Sequence, residues 1–307
     1  MSVDAVTFDR VSRRYGAVEA VRELSLSIRA GEMFGLIGPD GAGKTTTIRM
    51  MCGLLRADAG SIRVLGLDPV AEHRELTKSV GYLSQRFSLY ADLSVNENIA
   101  FFAEIHGVRH YAAARDRLLA LTQLSPFAAR LAGQLSGGMK QKLALACTLI
   151  HQPKLIVLDE PTTGVDPVSR REFWKLLSEF LSQGITILMS TPYLDEAERC
   201  SRVALLHNGQ LLALDRPDVL RQALPGVLFE VIATDHRRAV AALRSFPEVA
   251  NVQTFGERAH VRLNEGGADA AALARHLHDA GVGVIAVRQV APSLEDVFVT
   301  RLGETQS

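Results

Sequence analysis

The stretch that most constrains this chain is LIGPDGAGKTT, residues 36–46, an apolar run that turns through glycines into a helical pattern. Gly38, Gly43, Lys44 and Thr45 keep the spacing G-x-x-x-x-G-K-[ST], with Pro39, Asp40, Gly41, Ala42 and Thr46 completing the loop. Glycines let backbone N–H groups converge on phosphate oxygens with no Cβ in the way. A helix over about residues 44–53 would present its unsatisfied N-terminal donors to the same anion. Lys44 adds a mobile positive charge for the β- and γ-phosphates, and the Thr45 hydroxyl is a ligand for Mg²⁺.

A second stretch, LIVLDE at 155–160, supplies what such a loop lacks. Four consecutive apolar residues read as a strand buried on both faces, as in the parallel sheet of an α/β protein. Asp159 and Glu160 stand at its carboxyl end, where ligands of open α/β sheets bind. Asp159 is placed to hold the Mg²⁺ shell, and Glu160 to orient or polarise an attacking water.

A third stretch, LSGGMKQK at 135–142, puts Ser136, Gly137 and Gly138 just ahead of a helical pattern of Met139, Leu143, Ala146, Leu149 and Ile150. Donors at a helix start suit an anion, yet the phosphates of this chain are already cradled by residues 38–46. The economical reading is that Ser136–Gly138 close over a nucleotide held by another copy or a partner.

In these motifs and their order the chain resembles the ATP-binding subunits of ABC transporters, over about residues 3–220. The likeness is strongest with exporters whose ATPase and membrane subunits are separate chains, as in drug and antibiotic efflux. It implies an ATPase that uses ATP and Mg²⁺. It also implies pairing with a second ATP-binding subunit, identical or different, and docking to integral membrane permease subunits at the cytoplasmic face of the inner membrane. It further implies that Tyr15 stacks on adenine, that Gln85 touches Mg²⁺ or the attacking water, and that Asp166 of PTTGVDP lies in a dimer-contact loop. Aromatics at the start of a helical insert, Phe87 and Tyr90, lie near where the family docks a membrane subunit; internal packing is the other reading. Relatives that act on ribosomes or DNA typically carry two ATP domains or a long coiled-coil insert, and neither is visible in this sequence.

Two positions depart from the family pattern. Asp40 stands where an asparagine is usual, and an outward-pointing carboxylate there would be nearly silent through screening. Pro192, in STPYLDEAE, stands where the family has a histidine that contacts the γ-phosphate. Proline offers neither a ring nitrogen nor a backbone N–H. The alternative to an active ATPase is therefore an ATP-binding regulatory clamp with little turnover.

Composition sets the remaining bounds. The formal net charge is zero, which gives no support to a nucleic-acid partner. No apolar run approaches the ~18–20 residues that span a bilayer, and the first residues do not read as a signal peptide. Cys52, Cys147 and Cys200 lack C-x-x-C spacing and read as reduced thiols. His106 and His110 read as surface residues rather than metal ligands.

The expected architecture is α/β: a P-loop ATPase core with an antiparallel β subdomain and a helical insert, and a small α+β ferredoxin-like domain after it. The alternating pattern of residues 4–30 gives the antiparallel strands. Residues 86–134 give the insert, which the helix behind Ser136 extends to about 150. Within it Ser94 and Glu97 form a capping box. A long helix follows at 168–183, with Trp174 and Leu177 facing the core, then an apolar strand at 185–190. A hairpin turns at Asn208-Gly209. A composition change at 222–227 marks a boundary, dividing an ATP-binding domain (1–222) from an accessory domain (225–307). The latter reads β-α-β-β-α-β, with dimer support, regulation and docking all open as its role.

Overall fold

A computed structural model describes residues 4–85, 89–264, 266 and 269–306, so Phe87 lies outside the described residues. The chain divides into two compact units between Asp215 and Arg216.

The first unit is built on a six-stranded sheet. Its strands are β3 (Met33–Ile37), β5 (Val80–Leu83), β6 (Leu155–Asp159), β7 (Thr186–Thr191), β8 (Arg202–His207) and β9 (Gln210–Asp215), in spatial order β5-β6-β7-β3-β8-β9. All neighbours run parallel except the β8–β9 hairpin. Every residue of β3, β6 and β7 is buried, as an apolar strand between two covered faces requires. The register sets Ile37 beside Thr191 and Asp159 beside Ser190, which brings the carboxyl ends of three strands together. The β8–β9 turn is Asn208-Gly209 with φ of 48° and 77°, the left-handed pair that a two-residue hairpin needs.

A separate antiparallel sheet, β2-β1-β4, comprises β1 (Asp4–Tyr15), β2 (Val18–Arg29) and β4 (Ala59–Val64). Helices α1 (Lys44–Met51) and α2 (His73–Leu76) precede the insert. The insert contains α3 (Val95–Ile105) and α4 (Ala112–Leu121) and leads into α5 (Gly137–Leu149). The capping box is formed: Ser94 Oγ accepts from Glu97 N, and the Glu97 carboxylate accepts from Ser94 N. Tyr90 packs edge-on against Phe101 at 4.6 Å while 45% exposed, so its ring both braces α3 and faces solvent. Helix α6 (Pro167–Ser182) buries Trp174 and Leu177, and the short α7 (Leu194–Ala197) follows β7. Among the described residues no helix is long and apolar enough to cross a membrane.

The second unit starts with α8 (Pro217–Gln222), followed by β10 (Val227–Ala233), α9 (His236–Arg244), β11 (Val249–Phe255), β12 (Arg258–Leu263), α10 (Ala270–Asp279) and β13 (Val284–Gln289). Its antiparallel sheet has the order β11-β12-β10-β13. Phe229, Val231, Val261 and Leu263 alternate along two strands and meet Leu243, Leu273 and Leu277 of α9 and α10 in one core. A last helix, α11 (Leu294–Gln306), packs with α8. The division lies upstream of the composition change at 222–227, and α8 is grouped with its partner helix in the second unit.

Candidate nucleotide-binding and hydrolysis site

The turn between β3 and α1 is shaped by close backbone approach. A Cβ on Gly38 would stand 2.3 Å from Leu206 O, and one on Gly43 would stand 2.3 Å from Ala20 O. Gly43 also has φ of 99° and serves as N-cap of α1 with no side chain to cap it. The first N–H groups of α1 thus lack a side-chain acceptor, which is the arrangement that receives an anion. Asp40 is exposed at the tip of the loop.

Lys44 is the buried cation of this turn. Its side chain is 4% exposed, and Nζ donates to Gly38 O (2.8 Å) and Pro39 O (3.1 Å) while lying 3.2 Å from Glu160 Oε1. Gln85 Nε2 donates to Glu160 Oε2 at 3.0 Å, and the Thr163 hydroxyl reaches the same oxygen at 3.4 Å. Glu160 sits at φ 50°, left-handed for a residue with a side chain, and its N–H is held by Ser190. Asp159 is 1% exposed; its Oδ1 accepts from Ser190 Oγ (2.6 Å) and Thr45 Oγ1 (3.2 Å). Burial, reinforced by the Asp159 charge, pushes the Cys52 thiol and the Tyr82 phenol each up to about 12.

That negative charge and the paired oxygens of Thr45 and Asp159 fit a small hard cation. Mg²⁺ takes few protein ligands, keeps water, and shares substrate phosphates.

The other sequence-derived residues lie apart from this set. The Tyr15 ring ends β1, 45% exposed and 5.1 Å from the Arg13 guanidinium. Ser136 is the N-cap of α5, its Oγ accepting from Met139 N at 3.3 Å, and Gly138 lies against Ser169 of α6. Asp166 caps α6, accepting from Val168 N and Ser169 N at 3.0 Å. The Ser169 hydroxyl and N–H hold its carboxyl below the ordinary range. Sequence reading missed Ser190, Thr163, Thr162 and Glu196. The first is visible only through strand register, which sets it opposite Asp159.

A glycine loop at a helix start, a buried lysine and two strand-end carboxylates define a P-loop nucleoside triphosphatase. Comparison with known proteins narrows that class. The family model described as ABC transporter matches residues 21–163, and that described as ATP-binding protein DrrA1-3-like, C-terminal domain, matches 216–301. A probable multidrug ABC transporter ATP-binding protein of Escherichia coli is 41% identical over 99% of this chain and 53% of its own length. The chain therefore spans about half the length of that relative. A daunorubicin resistance ATP-binding protein of Streptomyces coeruleorubidus is 33% identical over 97% of this chain and 95% of its own. A solved structure of an ATP-binding subunit of an ABC transporter is 30% identical with a TM-score of 0.64, covering 71% of this chain and 92% of that one. The chain belongs to the ABC transporter ATP-binding protein family.

Proposed function

We propose that this chain binds and hydrolyses ATP as the ATPase subunit of an exporter, pairing with a second ATP-binding subunit, the same or different. The assembly would drive separate permease subunits from the cytoplasmic face of the membrane. The observation that carries the reading is the single bonded set Lys44–Glu160–Gln85 at the mouth of the glycine loop, beside Thr45–Asp159. The printed names of the relatives, which concern multidrug transport and daunorubicin resistance, support the exporter part.

Each side chain then has a task. Lys44 exchanges the carbonyls of Gly38 and Pro39 for phosphate oxygens, with the first N–H groups of α1 around them. Thr45 and Asp159 would hold Mg²⁺, which when bound neutralises charge on the phosphates. That rearrangement frees Glu160 from Lys44, leaving its carboxylate to accept a proton from water as the water oxygen attacks γ-phosphorus. The bond from γ-phosphorus to the bridging oxygen breaks, and ADP leaves with that oxygen. Gln85 fixes the carboxylate from the other side. Tyr15 offers a π-face for adenine. Ser136–Gly138, outside this set, are the surface that would close on the nucleotide of the paired subunit.

One observation favours slow turnover. Proline at 192 donates nothing, and its neighbours are engaged: Thr191 Oγ1 donates to Glu196 at 2.7 Å and accepts from Tyr193 N at 3.0 Å. Neither Pro192 nor the Thr191 hydroxyl is thus left as a donor for a γ-phosphate, which favours the clamp-like reading with reduced hydrolysis.

Titration calorimetry of the full chain tests the site. Lys44→Ala is expected to abolish measurable ATP affinity with the fold retained by circular dichroism. Equal affinity in both proteins sinks the assignment.

A further inference from the structure

Glu196, on the short helix α7, is 1% exposed and lies outside the bonded set around Lys44. Its two oxygens take different partners. Oε1 accepts from Thr162 Oγ1 at 2.7 Å and Oε2 from Thr191 Oγ1 at 2.7 Å. Arg170 Nε stands 3.6 Å from Oε1, an ion pair beyond hydrogen-bond reach, and its guanidinium covers the Tyr193 ring at 5.1 Å. Both threonines are buried, at 1% and 0% exposure.

The chain positions of those partners give the contact its meaning. Thr162 lies two residues past Glu160, Thr191 immediately before Pro192, and Arg170 in the first turn of α6 behind Asp166. A buried carboxylate is costly unless hydrogen-bonded, and a buried hydroxyl left without a partner is costly too. Displacing either loop alone would strand one of each, so the low-energy displacement carries both loops together. We propose that Glu196 is a positioning residue for hydrolysis: it locks the segment behind Asp159–Glu160 to the segment leading into Pro192. Glu160 then keeps its left-handed backbone and its aim without a side-chain donor at 192.

This proposal rests on the ATPase reading, and its test separates the two. Steady-state hydrolysis, ATP affinity by calorimetry and thermal unfolding are measured on the full chain for wild type, Thr162→Val, Glu196→Ala and Glu196→Gln. Thr162→Val and Glu196→Ala are each expected to lower kcat about 10-fold or more, the scale of a misplaced reacting group. KM and ATP affinity should stay within about twofold in both. Glu196→Gln, which still bonds both hydroxyls, is expected to recover most of the loss. Thr162→Val keeps the test alive if Glu196→Ala fails to fold. Variants that unfold at lower temperature but keep the wild-type kcat per folded molecule overturn the positioning role alone. A wild type that binds ATP without hydrolysing it overturns both readings.

Discussion

Two pairs of buried carboxylates, Asp159 and Glu160 in the first unit and Glu230 and Asp296 in the second, are satisfied in opposite ways. In the second unit Glu230 accepts from Arg288 Nε at 2.8 Å and from Arg258 Nη1 at 3.2 Å. Asp296 accepts from Ser293 N and Oγ at 2.8 and 2.6 Å and pairs with His260 Nδ1 at 2.9 Å. Burial works against the Glu230 charge, but the Arg288 and Arg258 guanidinium groups outweigh it and hold the carboxyl below its ordinary range. Each of these oxygens has a dedicated side-chain or backbone partner, and the result is a brace between sheet and α11. In the first unit Glu160 is held by a lysine shared with loop carbonyls, by one amide and by a long hydroxyl contact, on a left-handed backbone. In the proposed mechanism those partners give way to phosphate and water. Burial alone therefore does not mark a working carboxylate; replaceable partners and stored strain do.

If that contrast holds, changes in the first pair's surroundings alter chemistry, and changes in the second alter stability. The largest expected effect is at Pro192. Restoring a donor with Pro192→His should raise kcat at least ~10-fold, within the ~10²–10³ that one such contact supplies. KM should barely change, as for a contact made chiefly in the transition state. A neutral or harmful outcome, with a wild-type rate already like that of other family members, removes the case for an incomplete site.

Asp296→Ala should do the converse. It strands His260 and Ser293, costs about 1–3 kcal/mol in a denaturant titration, and leaves ATP turnover per folded molecule unchanged. A parallel loss of turnover would break the comparison.

The smallest effect concerns a half-buried titratable group, His151, whose ring contacts Val80 O at 3.3 Å. Burial, and then the His106 charge, push His151 down to about 4 from an ordinary 6.5, with the two rings stacked at 3.9 Å. The folded protein keeps this ring neutral where the unfolded chain protonates it. Stability from it is therefore present above about pH 6.5 and lost as pH falls toward 4. His151→Gln should flatten that acid limb in urea titrations, and an unchanged slope would refute the assignment.

Much of this was legible in residue order. The glycine spacing, the apolar run before Asp159, and the Ser94/Glu97 box each act locally, so local pattern sufficed. The β-α-β-β-α-β order read for the accessory domain is the order of elements observed from β10 to β13. Contacts made by register or by topology were not legible. Ser190 meets Asp159 only because β6 and β7 are neighbours. Nothing in STPYLDEAE singles out Glu196, and only the folding of α7 onto Thr162 and Thr191 buries it. The division between Asp215 and Arg216 falls a few residues before the composition change, where α8 joins α11 in the second unit, a contact that composition does not show.

The central claim is that Ser136–Gly138 complete a neighbour's nucleotide site, and ATP-dependent association tests it most directly. Glu160→Gln keeps the shape of the site but removes the proton acceptor, so ATP should persist. Sedimentation velocity of this variant, alone and with a co-expressed ATP-binding subunit, should show monomer with ADP and a dimer with ATP and Mg²⁺. A variant that binds ATP yet stays monomeric in both settings would contradict the account.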